Sequence, residues 1–277
     1  MIKKKKIKIG VYFMLLLGLL VILFPLYICM ITTIKTTTET AISYFTLPKS
    51  IYLGNYIEVL ANPKLYYAYG NTIYITVMSV VGSLLIMPAM SFAISRGMRG
   101  NRGFRFLYIF LLIGIFLPFQ VRMVPLVKLL SSLNMLNQTG LIILYIAHAT
   151  CESVFLYVGF LDSISSSIEE AAYIDGANTF QIYKKIIVPL MKPIIATVII
   201  REGLSIWNDF MLPLVTLNRS WKIWTLTLYQ YIFQSEYGVD YNLAFTCFVV
   251  SSLPIIILYL LMQKQIIGGL TNGAVKG

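Results

Sequence analysis

The chain has 277 residues, 58% of them hydrophobic and only 12% charged, with a mean hydropathy of +0.80, where an ordinary soluble domain carries roughly 25% charge. So few charges cannot cover the surface of a soluble domain of this size, which excludes a soluble globular enzyme and makes lipid the expected solvent. Twenty-two Lys and Arg against 11 Asp and Glu give a net charge of +11, which in a soluble protein points to nucleic acid; here the placement of the cations gives them another use, and no nucleic-acid partner is expected.

Five lysines (Lys3, Lys4, Lys5, Lys6, Lys8) stand directly before the apolar run Ile9–Ile31. That run is too long for the roughly 7–15 apolar residues of a cleaved signal and has no small-residue cleavage site, so it reads as a retained span. Five further segments can cross a bilayer: Ile73–Ile94, Phe104–Val121, Leu141–Leu161, Ile194–Leu217 and Leu243–Met262. The third holds Arg105, Pro118 and Gln120, and the fifth holds Arg201, Glu202, Asn208 and Asp209; both are tolerable where neighbouring helices satisfy the polar groups. Ser79/Ser83 and Ala89/Ala93 in the second span have the small-xxx-small spacing that lets helices approach in lipid.

An even number of spans puts both termini on one side. With the N-terminus inside, fourteen Lys and Arg fall in inner segments, among them Lys3 to Lys8, Arg96, Arg99, Arg102, Arg105, Lys184, Lys185 and Lys192, against seven in outer ones. The excess places both termini in the cytoplasm. The organisation is then a basic cytoplasmic N-terminus, residues 1–8, and a single polytopic domain, 9–277, whose loop at 162–193 is cytoplasmic. The fold class is all-α membrane protein with six transmembrane helices.

That loop carries two helix starts. Ser166 with Glu169, or Ser167 with Glu170, has capping-box spacing, so a helix should begin near Ile168. Gly176 suits its left-handed end. Asn178 with Gln181 repeats the capping pattern, and Pro189 should stop or kink the second helix. An edge formed by Ala171, Ala172 and Ala177 is slim enough to enter a groove on another protein, where Glu170 and Asp175 can meet basic groups.

Glu170-Ala171-Ala172-x-x-Asp175-Gly176-Ala177, with Ile186, Pro189 and Pro193, resembles the EAA loop of ABC-importer permeases. Asn71-Thr72, Trp207-Asn208-Asp209-Phe210 with Pro213-Leu214, and the ending Gly269–Gly277 are similar to the carbohydrate-uptake, maltose-type branch; Arg201-Glu202 departs from it. The resemblance implies the type I importer permease fold in a bacterial cytoplasmic membrane. It also implies a second permease subunit, two cytoplasmic ABC ATPase subunits and an extracytoplasmic solute-binding protein as partners, with a carbohydrate, an oligosaccharide above all, as cargo. Glu170, Ala171, Ala172, Asp175, Gly176, Ala177, Ile186 and Pro189 would couple to the ATPase, and the glycine-rich ending, which should not be helical, would contact it too. A proton- or ion-coupled carrier and a permease for a glycerol-phosphate-type solute are the alternatives.

Ionisable groups inside spans are costly and are candidates for function. His148 and Glu152, four apart, share a helix face, as do Arg201 with Asn208 and Glu202 with Asp209. Arg201 paired across helices with Glu152 or another carboxylate would relieve both charges. These six, with Asn71 and Trp207, are the candidates for a sugar pathway; interhelical pairing alone is the structural alternative. The chain has no Gly-x-x-x-x-Gly-Lys-Ser/Thr loop to cradle ATP, so no catalytic residue, metal or cofactor is expected, and ATP hydrolysis would belong to partner subunits.

Overall fold

The structure, a computed structural model, describes residues 9–235 and 238–274. The lysines Lys3 to Lys8 and the terminal Val275–Gly277 lie outside the described residues. α1 (Ile9–Thr33) takes the first apolar run. α2 (Thr37–Ile42) starts from a capping box between Thr36 and Glu39, and α3 (Gly54–Ala61) follows. α4 (Pro63–Gly97) opens on a proline, where a missing N–H costs nothing because the first amides of a helix have no partner anyway.

α5 (Arg102–Ile115) is capped by Asn101, and α6 (Phe119–Ser132) leaves it at 105°. The expected span Phe104–Val121 is therefore two helices with a corner between them. Pro118 accounts for it, since the residue before a proline is pushed out of the helical region. α7 (Gln138–Leu161) is capped by Asn137.

α8 (Ser166–Ile174), α9 (Thr179–Ile182), a π-turn at Tyr183–Ile187 and α10 (Val188–Leu190) make up the loop region. Pro189 has no N–H to give Lys185, and the π-turn, with the Val188 amide reaching the Tyr183 carbonyl, widens the backbone just where the proline ring would clash. α11 (Lys192–Asn208) and α12 (Met211–Leu217) follow. They divide the expected span Ile194–Leu217, because Asp209 is extended, with φ −72° and ψ 130°, and turns its Oδ1 to the Met211 amide at 2.9 Å.

A 3-10 turn at Trp221–Ile223, α13 (Leu226–Gln230), a 3-10 turn at Tyr231–Phe233 and the short antiparallel pair β1 (Gln234–Ser235) and β2 (Gly238–Val239) lead to α14 (Tyr241–Ala274). The glycine-rich ending, expected not to be helical, continues α14 as far as Ala274; extending an existing helix is far easier than nucleating one. Among the described residues, α1, α4 and α7 are long and apolar enough to cross a membrane, and the bent α5–α6 pair adds a fourth if taken as one span.

The chain divides into two compact units, residues 1–65 with 230–253, and residues 66–229 with 254–277. In the first, the carbonyls at the end of α1 receive two asparagine amides. Asn55 donates to the Thr33 and Lys35 carbonyls at 2.9 and 2.8 Å, and Asn242 to those of Thr32 and Lys35 at 3.0 and 2.8 Å. These bonds satisfy acceptors that a helix end leaves open.

The second unit holds two cores. One centres on Met87, Ile94, Tyr157, Leu161, Ile187 and Met191, the other on Ile75, Leu141, Ile206, Leu217 and Leu228. Ser79 and Ser83 are buried, but Ala89 and Ala93 are exposed, so only the first small-residue pair serves packing within the chain. Gly82 does so as well: a Cβ there would stand 2.4 Å from Ile146 Cδ1, so the Ile146 side chain of α7 occupies the space that the glycine leaves on α4.

Candidate functional site

α7 and α11 run side by side, and with the starts of α6 and α12 they enclose a cavity of about 320 Å³. It brings together His148, Glu152, Arg201, Glu202, Asn208 and Asp209 of the residues expected on a pathway. Two expected residues lie elsewhere. Trp207 does not line the cavity, and Asn71 donates to the carbonyls of Lys222 and Trp224 at 2.8 and 2.9 Å while accepting from Gln138 Nε2 at 2.8 Å. Asn71 thus ties α4 to α7 and to the segment before α13, and beside it the Thr72 hydroxyl accepts from the Leu226 amide at 2.9 Å.

Arg201 of α11 pairs with Glu152 of α7, and both side chains stay open to the cavity at 44% and 38% exposure. The charge relief expected between these helices is thus met by this partner. The other acids are held by hydroxyls. Glu202 is buried, and its Oε1 accepts from Ser83 Oγ of α4 at 2.9 Å and from Ser153 Oγ of α7. Asp209 Oδ2 accepts from the Tyr145 hydroxyl at 3.0 Å.

Sequence reasoning missed Tyr145, Ser153, Ser83 and Ser205. Tyr145 precedes His148 by three residues and shares its face, a signal that was available. Ser83 is 119 residues from Glu202, and nothing local announces it. A smaller space of about 120 Å³ adjoins, lined by Arg122, Phe119, Leu144, Ala147, His148 and Leu212.

The cavity offers a balanced ion pair with open heads, the Ser205 and Asn208 polar groups, and the apolar surfaces of Phe119, Ile206 and Met211. Concave sites of this kind, mostly apolar with a few placed polar groups, suit small organic solutes.

In the loop, α8 starts earlier than expected. Ser165 is the N-cap, with its hydroxyl accepting from the Ser167 amide at 3.3 Å, and neither Ser166–Glu169 nor Ser167–Glu170 forms a capping box. Glu169 has a stronger partner: Arg96 at the end of α4 contacts its Oε1 through Nη2 at 2.5 Å and Nε at 2.8 Å.

Gly176 ends the helix as expected, at φ +82°. The Ala177 amide reaches the Ala172 carbonyl at 2.9 Å, the six-to-one bond of a Schellman turn. The Asn178–Gln181 box forms, with both bonds at 2.9 Å. Glu170, Ala171, Asp175, Gly176 and Pro189 are exposed, and Ile186 is half-buried. Ala172 and Ala177, expected on the open edge, pack against the first core instead. The open face is more apolar than the alanine pattern implied: Ile174 is 87% exposed and Phe180 68%.

Known proteins resemble the chain over nearly its whole length. A multiple sugar-binding transport system permease protein of Streptococcus mutans is 42% identical over 266 residues, covering 96% of each chain. An arabinooligosaccharides transport system permease protein of Halalkalibacterium halodurans is 32% identical, covering 92% of this chain and 91% of that one. Among solved structures, a chain of a bacterial ABC transporter involved in the import of the acidic polysaccharide alginate superposes with a TM-score of 0.80 at 28% identity, covering 92% of this chain and 95% of that chain. The family model described as binding-protein-dependent transport system inner membrane component matches residues 89–270, a stretch that contains both the cavity and the loop, and the chain belongs to that family.

Proposed function

We propose that this chain is one permease subunit of a binding-protein-dependent ABC importer that carries an oligosaccharide into a bacterial cell. The observation that carries the proposal is the cavity between α7 and α11, where Arg201 is paired with Glu152 and polar groups of Ser205 and Asn208 line the same space, in a chain whose relatives are named for sugar transport. A second permease subunit supplies the facing half of the pathway. The six crossings are α1, α4, α5 with the bent α6, α7, α11 with α12, and α14, with both termini in the cytoplasm.

On that topology α8 and the turn at Gly176 face the cytoplasm. The exposed Glu170, Asp175 and Ile174 dock on an ATPase subunit, and ATP and the loaded binding protein drive alternation by stabilising different states. The neighbouring glutamates divide the work: Glu169 turns inward to Arg96 and Glu170 faces the partner. The test is to co-purify the chain with its binding protein and measure which of raffinose, maltotriose and arabinotriose that protein holds and the reconstituted complex takes up. Binding of none of these, or uptake without ATP, overturns the reading.

A further inference from the structure

α4 reaches from the loop to the cavity wall and is fastened at both places by a polar joint. At its end, Arg96 takes hold of two other elements at once. Besides the paired contacts to Glu169 of α8, its Nη1 donates to the Leu161 carbonyl at the end of α7 at 3.2 Å and to Ser95 Oγ at 3.0 Å. Ser95 Oγ donates in turn to Asp162 Oδ1 at 2.9 Å, and the guanidinium lies 5.7 Å from the Phe92 ring centre.

The Arg96 and Glu169 side chains are only 15% and 9% exposed. The Nε bond to Glu169, with the Nη1 bonds to Leu161 and Ser95, fixes the orientation of the guanidinium, which a lysine's single point charge cannot reproduce. Thirteen residues earlier, about 20 Å along the helix, Ser83 donates to the buried Glu202 of α11, which Ser153 of α7 also reaches. Glu202 is next to Arg201, which pairs with Glu152 in the cavity. Between the joints, Met87, Phe92 and Ile94 of α4 are packed into the first core, so this stretch of helix is gripped by neighbours along its length.

We propose that α4 is the rod that passes movement of α8 to the cavity wall, with Arg96–Glu169 as its driving joint and Ser83–Glu202–Ser153 as its driven one. Arg96 and Glu169 are positioning residues, acting on the pathway through α4. The role rests on the reading of α8 as the ATPase contact, and it makes a separate claim: docking of the ATPase can survive while its effect on the cavity is lost.

The experiment uses the complete transporter in nanodiscs, with Cys29, Cys151 and Cys247 replaced by alanine and Ser205→Cys as a reporter at the cavity. The rate of labelling by a water-soluble maleimide is compared with and without ATP and vanadate, so no sugar is needed. Arg96→Gln, Glu169→Gln and the double variant are expected to retain the ATPase subunits. Each should reduce the nucleotide-dependent change in labelling rate by about tenfold, within the range over which coupled residues modulate communication between sites.

Because the two residues form one joint, the double variant should lose no more than either single one. Unchanged nucleotide dependence in the single variants overturns the rod, as does a multiplied loss in the double variant. Loss of the ATPase subunits from these variants also overturns it, since the pair would then serve only to shape the loop. Failure of the unaltered chain to retain ATPase subunits is a different result and sinks the docking reading itself.

Discussion

Two arginine–glutamate pairs join helices in the second unit, Arg96–Glu169 at the end of α4 and Arg201–Glu152 across the cavity, and their surroundings differ. The first pair is largely enclosed, and its arginine holds a backbone carbonyl and a hydroxyl as well. The second has both heads open to the cavity, with exposures near 40%. An enclosed pair whose arginine is also bonded to its neighbours resists rearrangement, because breaking it strands a charge away from water. An open pair exchanges partners at little cost. The same chemistry therefore suits a fixed linkage in one place and a surface for transient hydroxyl contacts in the other.

The sharpest way to break this comparison is to remove one acid from each pair. Glu169→Ala should destabilise the assembled subunit by roughly 3–5 kcal/mol, the usual result of leaving a buried partner uncompensated; thermal unfolding of the purified complex measures it. Next in size is Gly176→Val. Its φ of +82° costs a side-chain-bearing residue about 2 kcal/mol, and sugar uptake should fall at least tenfold while membrane insertion stays normal. Normal uptake with normal subunit assembly would remove the turn from the coupling role.

Tyr145→Phe takes one hydroxyl from Asp209 and should cost about 1.5 kcal/mol, read from the same unfolding curves together with a lowered uptake rate. The smallest stability effect belongs to Glu152→Ala, at most about 1 kcal/mol, yet uptake should drop severalfold because Arg201 loses the partner that fixes its head in the cavity. If Glu152→Ala destabilises the subunit as much as Glu169→Ala does, the two pairs are alike and the distinction fails.

Features written within a few residues of each other were readable from the sequence. Gly176 as a helix end and Asn178–Gln181 as a capping box are both present as expected, since each depends only on local backbone geometry. Arg201 with Glu152 could be anticipated because unshielded charge in a span demands a partner and few are available. By contrast, Arg96 and Glu169 are 73 residues apart, and the serine–glutamate spacing at 166 and 169 suggested a local cap that a stronger distant cation overrode.

The corners at Pro118 and Asp209 escaped for another reason. Hydropathy records how apolar a segment is and says nothing about its direction, so a span with a corner in it reads the same as an unbroken one. Asn71 pointed to the pathway by resemblance, but its amide is occupied by backbone 151 and 153 residues away, contacts that no spacing rule encodes.

The asparagine seal on α1 bears on how the chain comes to be built. Asn242 lies 210 residues after the Thr32 carbonyl it binds, so at ordinary translation speeds that bond waits roughly 10–40 s after Thr32 is made. Asn55 arrives within a few seconds and holds the Thr33 and Lys35 carbonyls first. The first helix to be made is thus among the last to be finished, and a chain stopped short of α14 carries that helix end with the Thr32 carbonyl still lacking its asparagine donor.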